Sequence, residues 1–198
     1  MSYEVVELTC PGCGARVSIN QQECEYCREP IVIRSFGSVM NMNSMQLNKR
    51  VNNYRKALAE HPDETRLNAS VAMCYLKLKL YDKALQAFEK AMEDDFDNPD
   101  TYLYAAICLL GGKMAFLQQL PVIRKAEEYV NAALSIEPKG IYYYFMAYLR
   151  YDYYERKRFR VQPDYRAMLQ AAVNAGLSSA DVSMLYEILQ VEPPAALC

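Results

Sequence analysis

Apolar and polar positions follow two different rhythms along this chain. Through residue 33 they fall into short runs, Val5-Val6-Glu7-Leu8, Arg16-Val17-Ser18-Ile19 and Pro30-Ile31-Val32-Ile33. Runs of this kind predict short strands. From about Gln46 onward the apolar residues take up a helical period and strand-like alternation disappears. Prolines punctuate that stretch: Asn98 precedes Pro99, and Pro121, Pro138 and Pro163 fit helix starts or stops. Ser178-Ser179-Ala180-Asp181 supplies capping residues for a last helix over 179–190. The expected fold is mostly α, with about eight helices behind a small β-containing head.

The helical part also repeats itself. Residues 65–98 form a unit with small Ala72, Ala84 and Ala91 and aromatic Tyr75, Tyr81 and Phe88. This spacing resembles the tetratricopeptide repeat, a 34-residue pair of antiparallel helices. Small residues there let two helices approach, and the aromatics fill the space beside them. A second unit begins at Pro99 with Tyr102, Ala105-Ala106 and Leu109, then Ala126, Val130 and Ala133. A third begins at Ile141 with Tyr144, Ala147-Tyr148 and Tyr151, then Tyr165, Met168, Ala172 and Ala175. The organisation expected is a head over 1–34, a Met-rich linker over 35–45 and a helical-hairpin solenoid over 46–192. The solenoid divides into a half-repeat 46–62, repeats 65–98, 99–140 and 141–177, and the closing helix 179–190.

The second and third units are longer than the first. Leu109 to Ala126 and Tyr151 to Met168 each span 17 positions, against nine from Tyr75 to Ala84. The excess is about two helical turns. Gly111-Gly112 is expected to break the first extension, whereas Tyr153 to Phe159 can continue as helix in the second. The extensions read either as a purpose-built wall or as a packing shelf for the head.

The resemblance implies a concave face lined by the first helix of each pair. Positions that touch peptides in such repeats correspond here to Arg66, Ala69, Met73, Leu76 and Lys77, then Asp100, Leu103, Ile107 and Leu110, then Tyr142, Phe145, Leu149 and Asp152, a mostly apolar groove. It lacks the Lys, Asn and Arg set with which related domains clamp a chaperone's C-terminal carboxylate. An apolar helix or extended peptide suits it better. The linker's own Met40, Met42 and Met45 offer a candidate occupant in cis, or simply pack onto the first helix. Tyr144, Tyr148 and Tyr151 fall at repeat-core positions, leaving Tyr142, Tyr143, Tyr153 and Tyr154 free for contacts.

Chemistry enters through the cysteines. Cys10-Pro-Gly-Cys13-Gly and Cys24-Glu-Tyr-Cys27 are two Cys-x-x-Cys pairs separated by ten residues. Such pairs set four thiolates at tetrahedral corners about one Zn2+, leaving no position open for water. The pattern resembles a short zinc ribbon with a structural metal; a redox pair or a disulfide staple would use the same residues. A head this small needs a staple to fold. Chelation is therefore expected to unfold residues 4–34 and spare the rest.

Composition narrows the function. The 198 residues are 52% apolar with a net charge of −2. Residues 1–34 carry Arg16, Arg28 and Arg34 against five glutamates, a field that opposes phosphate. Seven cysteines, four at metal spacing, and no evident signal segment fit a reducing cytoplasm, in keeping with a bacterial protein. The lone His61 sits in His61-Pro62-Asp63 at a helix boundary, and Gly111-Gly112-Lys113 lacks the rest of a phosphate-cradling loop. Cys74 and Cys108 fill equivalent small packing slots. No nucleophile or acid–base set is apparent, so the expected function is a non-enzymatic scaffold or adaptor for a peptide or protein partner. The competing class is a nucleic-acid-associated regulator using the ribbon and the basic run Arg156-Lys157-Arg158-Phe159-Arg160.

Overall fold

The computed structural model describes residues 7–62, 64 and 66–197. The chain divides after Asp95 into two compact units.

In the first unit, β1 (Glu7–Thr9) pairs antiparallel with β2 (Arg16–Ser18), Leu8 opposite Val17. Val5 and Val6 lie outside the described residues. The third expected strand is reduced to a single bridge between Glu23 and Pro30; residues 31–33 run irregularly because their apolar side chains are drawn into helix packing. A short helix, α1 (Gly37–Met40), follows and packs on α3. Next come α2 (Ser44–Glu60), α3 (Arg66–Lys77) and α4 (Tyr81–Asp94). The Met-rich stretch is thus ordered, and the long helix starts before Gln46. Asn43 caps it, accepting from the Gln46 amide while the Gln46 side chain accepts from Asn43. Along α4 the stripe Ala84, Ala87, Phe88, Ala91 recurs every three to four residues and is buried against α3.

In the second unit, α5 (Pro99–Leu110) pairs with α6 (Leu120–Ile136). Likewise α7 (Gly140–Leu149) pairs with α8 (Tyr165–Asn174), and α9 (Ser179–Leu189) closes the unit. Pro99 holds the first position of α5, and Gly111, at φ 59°, ends it in the left-handed conformation glycine favours. Asp164 caps α8 by accepting from Ala167 N–H, and Ser178 with Asp181 forms the expected capping box on α9. Gly140 is constrained from outside its helix. A Cβ there would sit 2.5 Å from the backbone nitrogen of Leu177, in the turn between α8 and α9.

The two extensions differ in structure and pack on each other. Beyond Gly112 the first is a short 3-10 turn, Ala115–Leu117. The second prolongs α7 as a π-helical turn, Arg150–Glu155. Ala115 N–H donates to the Tyr148 hydroxyl at 3.2 Å and Phe116 N–H to the buried Asp152 carboxylate at 2.8 Å. Arg156 pairs with Asp152 and lies 4.4 Å from the Phe116 ring centroid; Lys157 sits 3.8 Å from the Tyr153 centroid. Together the two extensions form one buttress at the end of α7.

Candidate metal centre and repeat faces

Two equivalent turns bring the four cysteines together. In the first, Cys10 N–H donates to Ala15 and Gly14 N–H to the Cys10 carbonyl. In the second, Cys24 N–H donates to Glu29 and Arg28 N–H to the Cys24 carbonyl. Gly14 (φ 94°) and Arg28 (φ 60°) occupy matching left-handed positions after each pair. Gly12 sits in close quarters, since a Cβ there would lie 3.3 Å from the Cys27 sulfur and press on it.

The sulfurs of Cys10, Cys13, Cys24 and Cys27 all lie within 4.8 Å of one another. Cys10 Sγ is 3.6 Å from Cys27 Sγ, and Cys13 Sγ is 3.7 Å from Cys24 Sγ. Tetrahedral thiolates bonded to zinc at about 2.3 Å would stand about 3.8 Å apart. A disulfide needs about 2.05 Å. The cluster therefore has the dimensions of a metal site, and the disulfide staple does not describe it. Cys10 and Cys24 are fully buried, whereas Cys13 is exposed. Backbone N–H groups of Cys27 and Tyr26 hold the Cys24 thiol down to about 7 against the opposing effect of burial. Burial, reinforced by the neighbouring sulfurs, pushes Cys27 up to about 12. Cys27 thus gives up its proton near neutral pH only when a cation replaces it.

The cysteine turns are anchored on the helices of the same unit. Arg50, only 2% exposed, reaches from α2 to the Glu29 carboxylate and to the Pro30 carbonyl at 3.1 Å. Tyr54, one turn on, donates to the Ile31 carbonyl at 2.8 Å, and Asn53 donates to that of Pro11 at 3.2 Å. Ile33 N–H donates to Ser70 on α3 at 3.0 Å, and Lys77 lies over the Phe36 ring. Ile31, Ile33, Phe36 and Val39 are all buried. A cleft of about 260 Å3 remains beside the sulfurs, lined by Gly12, Cys13, Glu29, Met42, Lys49 and Arg50. Sequence reasoning missed Arg50 and Tyr54 as supports. Their spacing of four on the buried face of α2 was the available signal.

The residues expected to line an open apolar groove are mostly interior. Met73, Leu76, Leu103, Ile107, Leu110, Tyr142, Phe145 and Leu149 are each at most 5% exposed; Ala69 is half-buried. In the first unit the 31–40 segment covers part of α3, and the cover comes from Phe36 and Val39 more than from the methionines. In the second unit α9 lies against both α5 and α7. Tyr186 of α9 meets Tyr144 and Tyr148 edge-on, at 6.2 and 5.9 Å between centroids, and the Tyr144 hydroxyl donates to the Leu197 carbonyl at 3.1 Å.

Tyr142, Tyr153 and Tyr154 are not free for contacts either. Tyr142 is buried and donates to Asp100 at 2.5 Å; Tyr153 is buried; Tyr154 donates to Glu127 at 2.9 Å. The hydroxyls find carboxylate partners inside the unit, which the repeat spacing could not show. Cys74 and Cys108 are buried, as their packing role requires, and His61 ends α2 with its N–H on the Ala57 carbonyl. Of the basic run, Arg156 and Lys157 are engaged by the buttress, whereas Arg158, Phe159 and Arg160 are exposed.

Among the described residues, no helix is long and apolar enough to cross a membrane. None of the curated proteins matches the chain. Residues 51–107, from α2 through most of α5, match the family model described as tetratricopeptide repeat. The chain therefore carries tetratricopeptide-repeat helices beside a four-cysteine cluster of metal-binding dimensions.

Proposed function

We propose that the protein is a non-enzymatic cytoplasmic scaffold or adaptor that binds a peptide or protein partner through its repeat helices. Its four cysteines hold a structural Zn2+. The observation that carries this reading is the closed set of four mutually adjacent sulfurs, tied by Arg50 and Tyr54 to helices that match an interaction repeat. Four thiolates from protein leave no coordination position for water, so the metal's chemistry is to fold the head.

Because the first-helix faces are covered by the chain itself, a partner reaches Leu103, Ile107, Tyr142 or Phe145 only when α9 yields. Replacing Leu103 or Ile107 with Asp would place a charge in the core and unfold the unit, so a milder lever is needed. Tyr186→Ala loosens the seat of α9 without touching those faces. Quantitative capture of partners from the native cell is expected to recover more with Tyr186→Ala than with wild type. Equal recovery would dismiss the first-helix faces as the docking site, and recovery of no partner by either chain would dismiss the scaffold. Elemental analysis is expected to return about one zinc per chain.

A further inference from the structure

The side of α3 turned away from residues 31–40 carries a second feature. Ser70 and Lys77, which meet that segment, lie about 200° around the helix from Asn68 and Tyr75. Over Asn68 and Tyr75, α2 and α4 frame a groove of about 440 Å3. Its walls are Arg55 from α2 and Lys83, Gln86 and Lys90 from α4; its floor is Asn68, 9% exposed, and Tyr75. Lys83 sits 6.0 Å from the Tyr75 ring centroid. Among the described residues, no carboxylate lines the groove, and Arg55, Lys83 and Lys90 form no ion pair.

Three cations with no ion pair among the described residues, set around two side-chain amides, give the groove a local charge opposite to the chain's net −2. On this basis, and resting on the scaffold reading above, we infer that the groove docks an acidic, extended segment of the partner protein. Lys83 and Lys90 lie seven residues apart on α4, about 10 Å, the span of about three residues of extended chain. The cations pair with the segment's carboxylates, and Asn68 and Gln86 each offer a donor and an acceptor to its peptide groups. A polynucleotide fits less well. It needs ring faces on which successive bases stack, and Tyr75, the ring among the described lining residues, already lies beside Lys83.

The test uses the full-length zinc-loaded chain and a fluorescein-labelled hexapeptide of alternating Glu and Asp, followed by anisotropy at low and physiological salt. Wild type is expected to bind saturably. Lys83→Glu with Lys90→Glu is expected to weaken binding at least tenfold, and Gln86→Ala about threefold. All three positions are exposed, and unchanged circular dichroism and melting temperature verify the fold. A control of equal net charge, Lys56→Glu with Lys113→Glu, keeps near-wild-type affinity. Six-nucleotide oligo-dT binds at least tenfold more weakly than the peptide. Absence of saturation, equal loss in the control pair, or oligo-dT matching the peptide would overturn the inference. Such a failure with zinc content and partner recovery intact removes this groove alone and leaves the scaffold standing.

Discussion

Arg50 braces the first unit with a buried charge. Its guanidinium is taken out of water to bind Glu29 and the Pro30 carbonyl. Removing one member of such a pair strands the others, at a cost of several kcal/mol when both are buried. Glu29 is 41% exposed on its side chain, which lowers the expected cost of Arg50→Ala to about 2–3 kcal/mol. Urea unfolding monitored by circular dichroism measures it, and a change under about 0.5 kcal/mol would refute the anchoring role. Arg28 invites the opposite result. It holds the left-handed backbone position that Gly14 holds in the matching turn, so Arg28→Gly should raise stability by about 1 kcal/mol, read as a higher urea midpoint. Neither effect is visible in the spacing of the cysteines. That spacing announces four ligands, but not which turn residue is strained or which helix supplies the brace.

Among elements, the link between the cysteine turns and α2–α3 decides how the first unit responds to metal loss. The sequence led to a head that unfolds alone. Tyr54, Ser70, Arg50 and Asn53 instead bond to backbone groups that the metal site positions, and Ile31 to Val39 shield α3. Chelation should therefore raise amide exchange in α2 and α3 as well as in residues 7–34, with slower change in the second unit. Protection retained across α2 and α3 after complete metal removal would restore the picture of an independent head. The helices themselves were legible because their signals are local: the Ala–Phe stripe of α4, Pro99 before α5, Ser178 and Asp181 before α9. The cap at Asn43 is equally local, yet Asn43 falls within the stretch expected as linker, because the methionines around it hide the signal. The covering of the first-helix faces was not legible. It depends on α9 and the 31–40 segment folding back, and apolar spacing is the same for a face met by a partner or by its own chain.

Across the whole molecule, buried phenols and one buried thiol set the response to alkali. Burial raises the pKa of Tyr54, Tyr142 and Tyr148, and pushes Tyr154 up to about 12. It likewise pushes Cys74 up to about 12 from 9.0. The folded chain then keeps protons that the unfolded chain releases above pH 9–10, so the unfolded state binds fewer protons and stability falls as pH rises. The loss should be absent below about pH 8.5 and grow steadily towards pH 12, as followed by urea midpoints at successive pH values. A flat profile over that range would contradict the burial of these groups. The metal responds in the opposite sense, because protons compete for the thiols. Zinc affinity should weaken as pH falls, through proton competition at Cys27 already across the neutral range and more steeply below about 7, where Cys24 is also protonated; a chromophoric chelator competition measures it.

The hydrogen bonds joining the cysteine turns to α2 and α3 also bear on how long the chain survives in a cell. Newly made chains that fail to acquire an ion would expose Ile31, Ile33 and Phe36 together with the flank of α3 they cover. Quality-control proteases act on such surfaces. Turnover of this protein would then track the supply of zinc, short in starved cells and slow in replete ones.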